Sequence, residues 1–483
     1  MFIRKTDTFG IRCLLIIGVI LIISCFISTT KVKADDIMEN KLDSYIKSKM
    51  DKENIPGLSI GVIKNNKIVY VKGYGKADQK GTKVTEKTPF ILGSVSKSFT
   101  ALAVMKLQEE GKLDIDEPVK KYLPWFKLKD KNAQEKITLR NLLNHNSGLS
   151  NMTGYKELLN DDMNLDEFVK NLKNTNTTDG INSKFQYSNI GYDILGKVIE
   201  EASGVSYSEY IETNIFKPLN MKNSYARVKE AKNNGLSTGY FTLFGIKVPF
   251  EERNHEGNTP AGYLVSSAED MANYLLMYLQ NGNYNGNSII KKEGINEMHK
   301  PAVRIGSGES YGMGWVINSR YTWHNGGSEN FASELFLDKK NNSGVVILFN
   351  TYDNLKRYDY IAEDVMSIIQ GNQGNGGSYS VRSFVNIVAI VVAVLMVMCC
   401  IDTFSWIKEF QGISGSRIMQ IVEIVISNAI LPCIIAVFLV HAICYRMFMG
   451  PVLWMPDIAF DIWGLPLVLM ISGLIKIICI IKS

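Results

Sequence analysis

Cysteine is missing from the middle of this chain: residues 26 to 398 contain none, although the whole sequence has seven. A disulfide framework and a thiolate metal site are therefore excluded from that part of the chain. All seven lie in or beside apolar runs at the two ends, where we interpret them as small packing or lipid-facing residues. They are Cys13, Cys25, Cys399, Cys400, Cys433, Cys444 and Cys479.

Long blocks of one charge sign are also missing. The 53 basic and 48 acidic residues give a net charge of +5, and no Lys/Arg run stands out. We therefore expect no nucleic-acid partner. The zinc-protease pattern His-Glu-x-x-His does not occur either, so we expect no metal ion and no other cofactor.

The first of several apolar runs lies at the N-terminus. Three basic residues precede an apolar stretch that ends at Ile27, and small residues follow at Val32 and Ala34. This order is typical of a secretory signal peptide, so residues 1–34 are predicted to be one, cleaved after Ala34. Lipidation at Cys25 and an uncleaved anchor helix are the alternatives.

Three more apolar runs, 384–401, 424–445 and 462–481, follow near the C-terminus. A membrane-spanning helix needs about 20 residues, so each run is long enough. They are apolar on all sides, which favours membrane helices over buried core helices. Lys408 and Arg417 then fall in an inner loop, as the positive-inside rule requires, and the central domain lies outside. The Gly-rich residues 371–383 are predicted to be a flexible linker.

The central residues 35–370 carry strand patterns at both ends and helical patterns between them. The runs 58–63 and 67–74 predict one hairpin, and 331–337 and 344–349 predict a second. Helical patterns such as 99–110 and 192–202 fill the middle. We predict an α+β fold with an antiparallel sheet built from both ends, flanked by helices, and a mostly helical inserted region.

Three short patterns stand in order along this domain: Ser94-Val95-Ser96-Lys97, Tyr187-Ser188-Asn189 and His324-Asn325-Gly326, with Gly327 next. Each is weak alone, because the chain repeats them at Ser44-Tyr45-Ile46-Lys47, Tyr352-Asp353-Asn354 and His255-Glu256-Gly257. Context separates the first pair: Ser44 lies within an amphipathic helix, whereas Ser94 opens a helix. The alternative for Ser94 is a simple N-cap.

The residue types fit nucleophilic chemistry. A serine at a helix start gains from the positive helix end, which stabilises a developing oxyanion. Its hydroxyl needs a base, and Lys97, one turn on, can be that base if burial lowers its pKa. Tyr187 would relay the proton, and His324 would keep the field positive or donate a hydrogen bond. Gly326 and Gly327 would let a strand edge approach the substrate.

Ser-x-x-Lys followed by Ser-Asp-Asn and Lys-Thr-Gly is the signature of penicillin-binding proteins and class A β-lactamases. Here Tyr187 and His324-Asn325-Gly326 stand in the later places. In this the chain resembles the class C β-lactamase-like branch, which includes D-aminopeptidases, esterases and D,D-peptidases. Further blocks that carry the resemblance lie at residues 142–149, 260–262, 266–270 and 311–315.

The resemblance implies a β-lactamase/transpeptidase-like fold and a set of roles. Ser94 would be the acylated nucleophile, and Lys97 and Tyr187 would share general-base and general-acid work. Asn189 would order the site and touch the substrate amide. The backbone N–H groups of Ser94 and Gly327 would form the oxyanion hole. His145 would be structural.

The order of signal peptide, hydrolase domain and three apolar helices resembles membrane peptidases that mature exported bacterial prodrugs, of the colibactin-maturing type. These remove an N-acyl-D-asparagine cap, and the resemblance makes Ser188, His255 and Asn330 candidates for holding the D-Asn side chain. A surface loop histidine is the alternative for His255. The expected location is a bacterial cell membrane, with several membrane passes and an extracytoplasmic catalytic domain.

The expected partners are a small peptide or acyl-peptide substrate and membrane lipid, and no oligomeric state is predicted. Two other enzyme functions are considered: a cell-wall D,D-carboxypeptidase or endopeptidase, and a β-lactamase. A non-catalytic acyl-binding sensor or immunity protein is the alternative of another class.

Overall fold

The computed structural model describes residues 34–150, 163–252, 255–306, 308–353, 355–374, 382–410, 416–437 and 456–482. The predicted signal peptide lies outside these residues, apart from Ala34. The described residues divide into two units, one that ends at Ser48 and a larger one that begins at Lys49.

The strands are β1 (Gly57–Lys64), β2 (Lys67–Gly75), β3 (Phe90–Ile91), β4 (Gly239–Leu243), β5 (Ile246–Phe250), β6 (Val265–Ser266), β7 (Asn283–Tyr284), β8 (Asn287–Ser288), β9 (Val303–Gly306), β10 (Glu309–Tyr311), β11 (Val316–Ile317), β12 (Thr322–Gly327), β13 (Ala332–Asp338), β14 (Ser343–Phe349) and β15 (Thr351–Tyr352). The helices are α1 (Ala34–Glu53), α2 (Ser96–Glu109), α3 (Val119–Tyr122), α4 (Lys131–Lys136), α5 (Leu139–Leu143), α6 (Leu165–Asn171), α7 (Asn189–Ser203), α8 (Tyr207–Ile211), α9 (Val228–Asn233), α10 (Ala268–Leu279), α11 (Lys292–Met298), α12 (Asp359–Ile369), α13 (Arg382–Glu409), α14 (Arg417–Val425) and α15 (Pro456–Lys482).

An eight-stranded antiparallel sheet carries the larger unit, in the order β2-β1-β14-β13-β12-β11-β10-β9. β1 comes from the start of the domain and β14 from its end, and they pair with Leu58 opposite Phe349. The predicted sheet built from both ends is therefore confirmed. The first hairpin turns at Asn65 and Asn66, whose φ angles of 52° and 58° match a type I′ turn.

Helices cover both faces at the centre of this sheet. β13 and β14 are buried along their whole length, so neither of their faces meets solvent. Gly344 faces Leu275 of α10, while Phe349, which points to the other face, packs on Tyr358 just before α12. The inserted region is mostly helical and is built around the buried helix α2. The predicted α+β fold is confirmed.

Three helices near the C-terminus are long and apolar enough to cross a membrane: Arg382–Glu409, Arg417–Val437 and Ala459–Lys482. They correspond to the three predicted runs, and the part of the second run beyond Val437 lies outside the described residues. α13 begins inside the range predicted as a linker. α13 and α15 pack together, with a 2.6 Å hydrogen bond between the hydroxyls of Thr403 and Ser472.

A buried ion network joins α13 and α15 to the rest of the larger unit. Arg382 donates to both carboxylate oxygens of Asp353, at 3.0 and 2.5 Å, and also pairs with Asp457. The tip of the β4–β5 hairpin reaches the same place. There the N–H of Phe244 donates to Asp457, and its ring stands edge-on to Phe460 with centroids 5.5 Å apart. The two apolar helices are thus fixed to the rest of the larger unit.

Candidate active site

Ser94 lies in a tight turn between a short strand and a buried helix. β3 pairs with β6, and Gly93–Val95 form a 3-10 turn that leads into α2. The helix begins at Ser96, slightly later than predicted, and Ser94 does not cap it. Gly93 has a φ of 54°, and a Cβ there would lie 2.4 Å from the backbone nitrogen of Gly327. Glycine at this position therefore brings the edge of β12 beside Ser94.

Lys97 is fully buried, and its Nζ lies 3.1 Å from Ser94 Oγ. The same nitrogen donates to Asn189 Oδ1 and to the carbonyl of Ala261, both at 2.7 Å. Burial lowers the pKa of Lys97 from 10.5 to about 7, although the charge of Asp193 opposes this. A neutral amine has two N–H groups, which those two oxygens accept, so its lone pair is left to accept the Ser94 proton.

Tyr187 stands on the other side of the lysine, with its ring centroid 4.8 Å from Lys97 Nζ. Burial raises the pKa of Tyr187 well above 10.0, and a hydrogen bond with Ser94 only partly offsets it. Tyr187 is therefore protonated at neutral pH and can give a proton. The lowered pKa of Lys97 and the raised pKa of Tyr187 favour Lys97 as the resting base.

His145 supports the segment that carries Tyr187. The imidazole is fully buried, its Nδ1 accepts the N–H of Ser188 at 3.2 Å, and its ring lies 4.4 Å from the Tyr187 ring. Its backbone carbonyl also accepts the N–H of Gln186 at 2.7 Å. These contacts agree with the structural role that the family resemblance implies for His145.

His324 is buried on β12 and neutral. Burial and the charge of Lys97 lower the pKa of His324 to about 3. Its Nδ1 lies 2.6 Å from the carbonyl of Asn325, and its Nε2 lies 3.0 Å from the hydroxyl of Tyr311. A carbonyl only accepts, so Nδ1 carries the proton and Nε2 accepts from Tyr311. His324 is therefore uncharged, and of its two suggested roles only hydrogen bonding fits the structure.

Gly326 and Gly327 end β12 where it passes the turn that carries Ser94. A Cβ on Gly326 would lie 2.0 Å from the carbonyl oxygen of Leu92, and one on Gly327 would lie 2.7 Å from the ring of Tyr352. Ser333 holds that carbonyl with a 2.6 Å hydrogen bond. Tyr352 belongs to the second Tyr-x-Asn pattern, and its ring packs directly behind the edge of β12.

Ser188 and Asn330 both serve the local structure. Ser188 caps α7, and its Oγ accepts the N–H of Gly191 at 3.2 Å. Asn330 is fully buried, and its Nδ2 donates to the carbonyl of Phe250 at 2.7 Å. Their role with His255 in holding a D-Asn side chain stays a prediction.

His255 is buried, which does not fit a surface loop histidine. Its Nε2 lies 3.7 Å from Oε1 of Glu329, and its ring lies 4.4 Å from the ring of Tyr263. Tyr263 donates to both carboxylate oxygens of Glu329, at 3.3 Å each. One ligand atom from each of Glu252, His255 and Glu329 lies within 4.8 Å of the others. We call Glu252, His255, Tyr263 and Glu329 the Glu252 cluster. Its carboxylate, imidazole and phenol groups can hold a cation. Of these four residues, sequence reasoning found only His255.

Asp193 is a further residue that sequence reasoning missed. It lies one turn after Asn189 on α7, is fully buried, and interacts by charge with Lys97. Burial raises the pKa of Asp193 well above 3.8, while the charge of Lys97 lowers it. Its spacing of four residues from Asn189 was the available signal, because residues i and i+4 share a helix face.

The sequence is similar to that of known proteins. The sequence matches the Beta-lactamase family over residues 42–368. Protein flp of Staphylococcus aureus (strain MW2) is 30% identical over 319 residues, which cover 65% of this chain and 63% of that protein. The chain thus spans less than two thirds of the length of the curated relatives that it matches first. Teichoic acid D-alanine hydrolase of Staphylococcus aureus is 35% identical over 201 residues, 41% of this chain and 47% of that protein.

Solved structures give the same result. The octameric penicillin-binding protein homologue from Pyrococcus abyssi is 31% identical, with a TM-score of 0.62, and the match covers 72% of this chain and 81% of that one. A class C beta-lactamase is 22% identical, with a TM-score of 0.61, and the match covers 71% of this chain and 99% of that one. The second likeness concerns the fold alone.

Proposed function

The chain belongs to the Beta-lactamase family of serine hydrolases, and from this premise we propose that it hydrolyses D-amino-acyl compounds through an acyl-enzyme on Ser94. We place this activity on the outer face of a bacterial membrane, in keeping with the N-terminal signal pattern and the three apolar C-terminal helices. The proposal includes esters as well as amides, because the same attack opens both.

One observation carries the proposal: a buried lysine with a lowered pKa has its Nζ 3.1 Å from Ser94 Oγ. In the first step Lys97 takes the hydroxyl proton and Oγ attacks the substrate carbonyl. The tetrahedral oxyanion would be held by the backbone N–H groups of Ser94 and Gly327. Preorganised donors of this kind contribute about 10²- to 10³-fold to acyl transfer.

The second step breaks the bond to the leaving group. Tyr187 gives its proton to the leaving nitrogen or oxygen and regains one from Lys97, so the balance of protons is kept. Water then attacks the Ser94 ester, with the same groups moving protons in reverse, and the acid product leaves. The raised pKa of Tyr187 supports its place as the donor.

Removal of an N-acyl-D-asparagine cap from an exported prodrug is the first specific candidate. The order of domains supports it, and the acyl chain would lie near α13 and α15, which are fixed to the hydrolase fold by Arg382.

Hydrolysis of D-alanyl esters is the second candidate, supported by the similarity to Teichoic acid D-alanine hydrolase. Cell-wall D,D-peptides and β-lactams are further substrates to test. Multiple turnovers would separate all of these from a sensor that is only acylated or bound.

Detergent-solubilised protein incubated with N-myristoyl-D-asparaginyl amide, D-Ala-D-Ala amide and a D-alanyl ester tests the proposal by mass spectrometry of products. We expect turnover of at least one D-substrate, an acyl adduct on Ser94, and loss of both in Ser94→Ala. The L-enantiomers should react much more slowly.

Ser44→Ala is the matched control, because it removes the serine of the other Ser-x-x-Lys pattern from an exposed helix position. This variant should behave like the wild type. If no substrate is cleaved and no adduct forms on Ser94, the hydrolase proposal is wrong for these substrates and a binding role is favoured.

A further inference from the structure

The Glu252 cluster lies beside the candidate active site, and we propose that it binds the α-ammonium group of the substrate's D-amino-acyl part. The inference rests on the proposed function and narrows its substrates to D-amino-acyl esters or amides without an N-acyl cap. The cluster consists of two carboxyl groups, an imidazole and a phenol.

The segments that form the active site also supply the cluster. Glu329 follows Gly327, the residue predicted for the oxyanion hole, by two positions. Tyr263 follows Gly262, where an added Cβ would lie 3.8 Å from the carbonyl carbon of Gly93, next to the nucleophile. A group bound by the cluster would therefore belong to the part of the substrate that lies close to Ser94.

The spacing of the cluster suits an ammonium group. Ligand atoms of Glu252, His255 and Glu329 lie within 4.8 Å of one another, and the pair of His255 Nε2 and Glu329 Oε1 is 3.7 Å apart. Three acceptors around an ammonium at about 2.8 Å are about 4.6 Å from one another in a tetrahedral arrangement.

Glu252 supplies an independent sign of a missing cation. It is 3% exposed, and its Oε1 has no hydrogen-bond partner among the described residues. Its Oε2 accepts the hydroxyl of Ser328, at 3.2 Å, and the Glu252 carboxyl group also has a hydrogen bond with the carboxyl group of Glu329. A buried carboxylate without a counter-charge is unfavourable, and burial together with Glu329 raises the pKa of Glu252 well above 4.5. A bound ammonium would supply the counter-charge and let the Glu252 carboxyl group ionise.

The lysine whose charge acts on the Glu252 carboxyl group does not bind that group. Lys232 donates to Oε1 of Glu251, at 2.9 Å, and to the backbone carbonyl of Glu252, at 2.7 Å. Its charge acts on the Glu252 carboxyl only as the smallest of the effects on that pKa. Lys232 is therefore not the counter-charge of the Glu252 carboxyl group.

An N-acyl cap removes this cation, because an amide nitrogen carries no charge and has at most one proton to donate. The cluster thus favours D-alanyl esters and D-aminopeptidase substrates over the N-acyl-D-asparagine candidate. A charge-assisted hydrogen bond to such a site is worth about a 10- to 100-fold change in binding.

Matched substrates test this directly: D-alanine 4-nitroanilide and its N-acetyl form, assayed with wild type, Glu252→Gln, Glu329→Gln and the exposed control Glu256→Gln. We expect the wild type to prefer the free amine by at least about 10-fold in kcat/KM. Each of the first two variants should lose about 10- to 100-fold on the free amine, mainly through KM, with little change on the acetylated substrate. Glu256→Gln should match the wild type.

Two results would overturn the proposal. One is equal or faster cleavage of the acetylated anilide by the wild type, and the other is an equal loss on both substrates in the Gln variants. Loss of free-amine activity after dialysis against EDTA, restored by Zn²⁺, would also overturn it by assigning the cluster to a metal ion.

Binding without turnover separates this inference from the proposed function. Calorimetry of the Ser94→Ala protein with D-alaninamide and with N-acetyl-D-alaninamide reports on the cluster alone. Binding of the first compound, lost in Ser94→Ala/Glu329→Gln, supports the ammonium site even if neither anilide is cleaved. No binding of D-alaninamide refutes the site even if Ser94 hydrolyses acetylated substrates.

Discussion

Lys97 can act as a base because its surroundings disfavour the charged form. No solvent reaches it, and its strongest polar contacts are the two oxygens of Asn189 and Ala261, each 2.7 Å away. The opposing influence is a single buried carboxyl, Asp193. The protonation of one residue on α2 is therefore set partly by one residue on α7.

The first prediction concerns the pH dependence. Lys97 must be neutral to accept the Ser94 proton, so kcat/KM should rise with pH and reach half its maximum near the Lys97 pKa of about 7. Asp193→Asn removes the charge that raises this pKa, so the acid side of the profile should move to lower pH. The measurement is kcat/KM against pH for both proteins.

Glu201→Gln is the control for this prediction, because Glu201 is exposed on the same helix. It should leave the profile unchanged. A profile of Asp193→Asn that stays in place, or moves to higher pH, would contradict the role given to Asp193.

At the scale of residues, the sequence identified the three patterns but not the protonation states of their side chains. Ser94, Lys97 and Tyr187 stood out through spacing and context, whereas Asp193, Glu252 and Glu329 belong to no short motif. Their importance comes from burial, which depends on tertiary packing. The neutral state of His324 could not be seen in the sequence for the same reason, since burial and the charge of Lys97 together lower its pKa to about 3.

Among the elements, α7 links the start of a helix to the proposed chemistry. It begins at Asn189, and its N-cap is Ser188, so the Tyr-x-Asn pattern is also a helix start. The N-H of Gly191, otherwise unpaired in the first turn, is satisfied by the Ser188 hydroxyl at 3.2 Å. The positions of Tyr187 and Asn189 around Lys97 thus depend on how this helix begins.

The second prediction tests that dependence. Ser188→Ala removes the cap and should cost about 0.5–2 kcal/mol of stability, seen as a lower Tm. The kcat on all substrates should fall with it, because Tyr187 and Asn189 lose their fixed positions. Thermal unfolding and steady-state kinetics on two unlike substrates measure both effects.

Ser188→Thr keeps an oxygen at the cap and should restore most of the Tm and kcat. An unchanged Tm in Ser188→Ala, together with a raised KM for N-acyl-D-asparaginyl substrates alone, would instead support the predicted contact with a D-Asn side chain.

The sequence predicted elements well where local chemistry decides them. The hairpin at Asn65 and Asn66 was visible, because asparagine tolerates the positive φ that a type I′ turn requires. The β4–β5 hairpin was not predicted, although it has a short turn at Phe244 and Gly245. Its strands are half-exposed and pair at one side with the two-residue strand β15, so no strong alternation marks them.

Across the whole molecule, the apolar helices and the hydrolase fold meet at Arg382. The guanidinium is buried between Asp353 and Asp457, and Asp353 directly follows Tyr352, which packs on Gly327. A short path of contacts therefore connects the start of α13 with the strand edge at the nucleophile.

The third prediction concerns this connection. Arg382→Gln leaves two buried carboxylates without their partner, a change that costs about 3–5 kcal/mol in buried ion pairs. We expect a lower Tm in detergent and a reduced kcat. Lys121→Gln is the control, since its side chain and that of its partner Glu117 are both exposed and such pairs contribute about 0–1 kcal/mol.

An Arg382→Gln protein as stable and active as the wild type would contradict this coupling. The sequence could not reveal the network, because Arg382, Asp353 and Asp457 are far apart in the chain and no pattern links them. It did reveal the three apolar helices, because length and composition alone decide whether a helix can cross a membrane.

The contact between Phe244 and Phe460 also affects how the enzyme would encounter its substrate. With α13 and α15 in a bilayer, the larger unit would be held beside the lipid and could not diffuse away from it. Encounters with a lipid-linked substrate then depend on molecules per unit area and not per unit volume. Added substrate-free lipid would dilute such a reaction at constant bulk concentration, while hydrolysis of a water-soluble compound would proceed at its former rate.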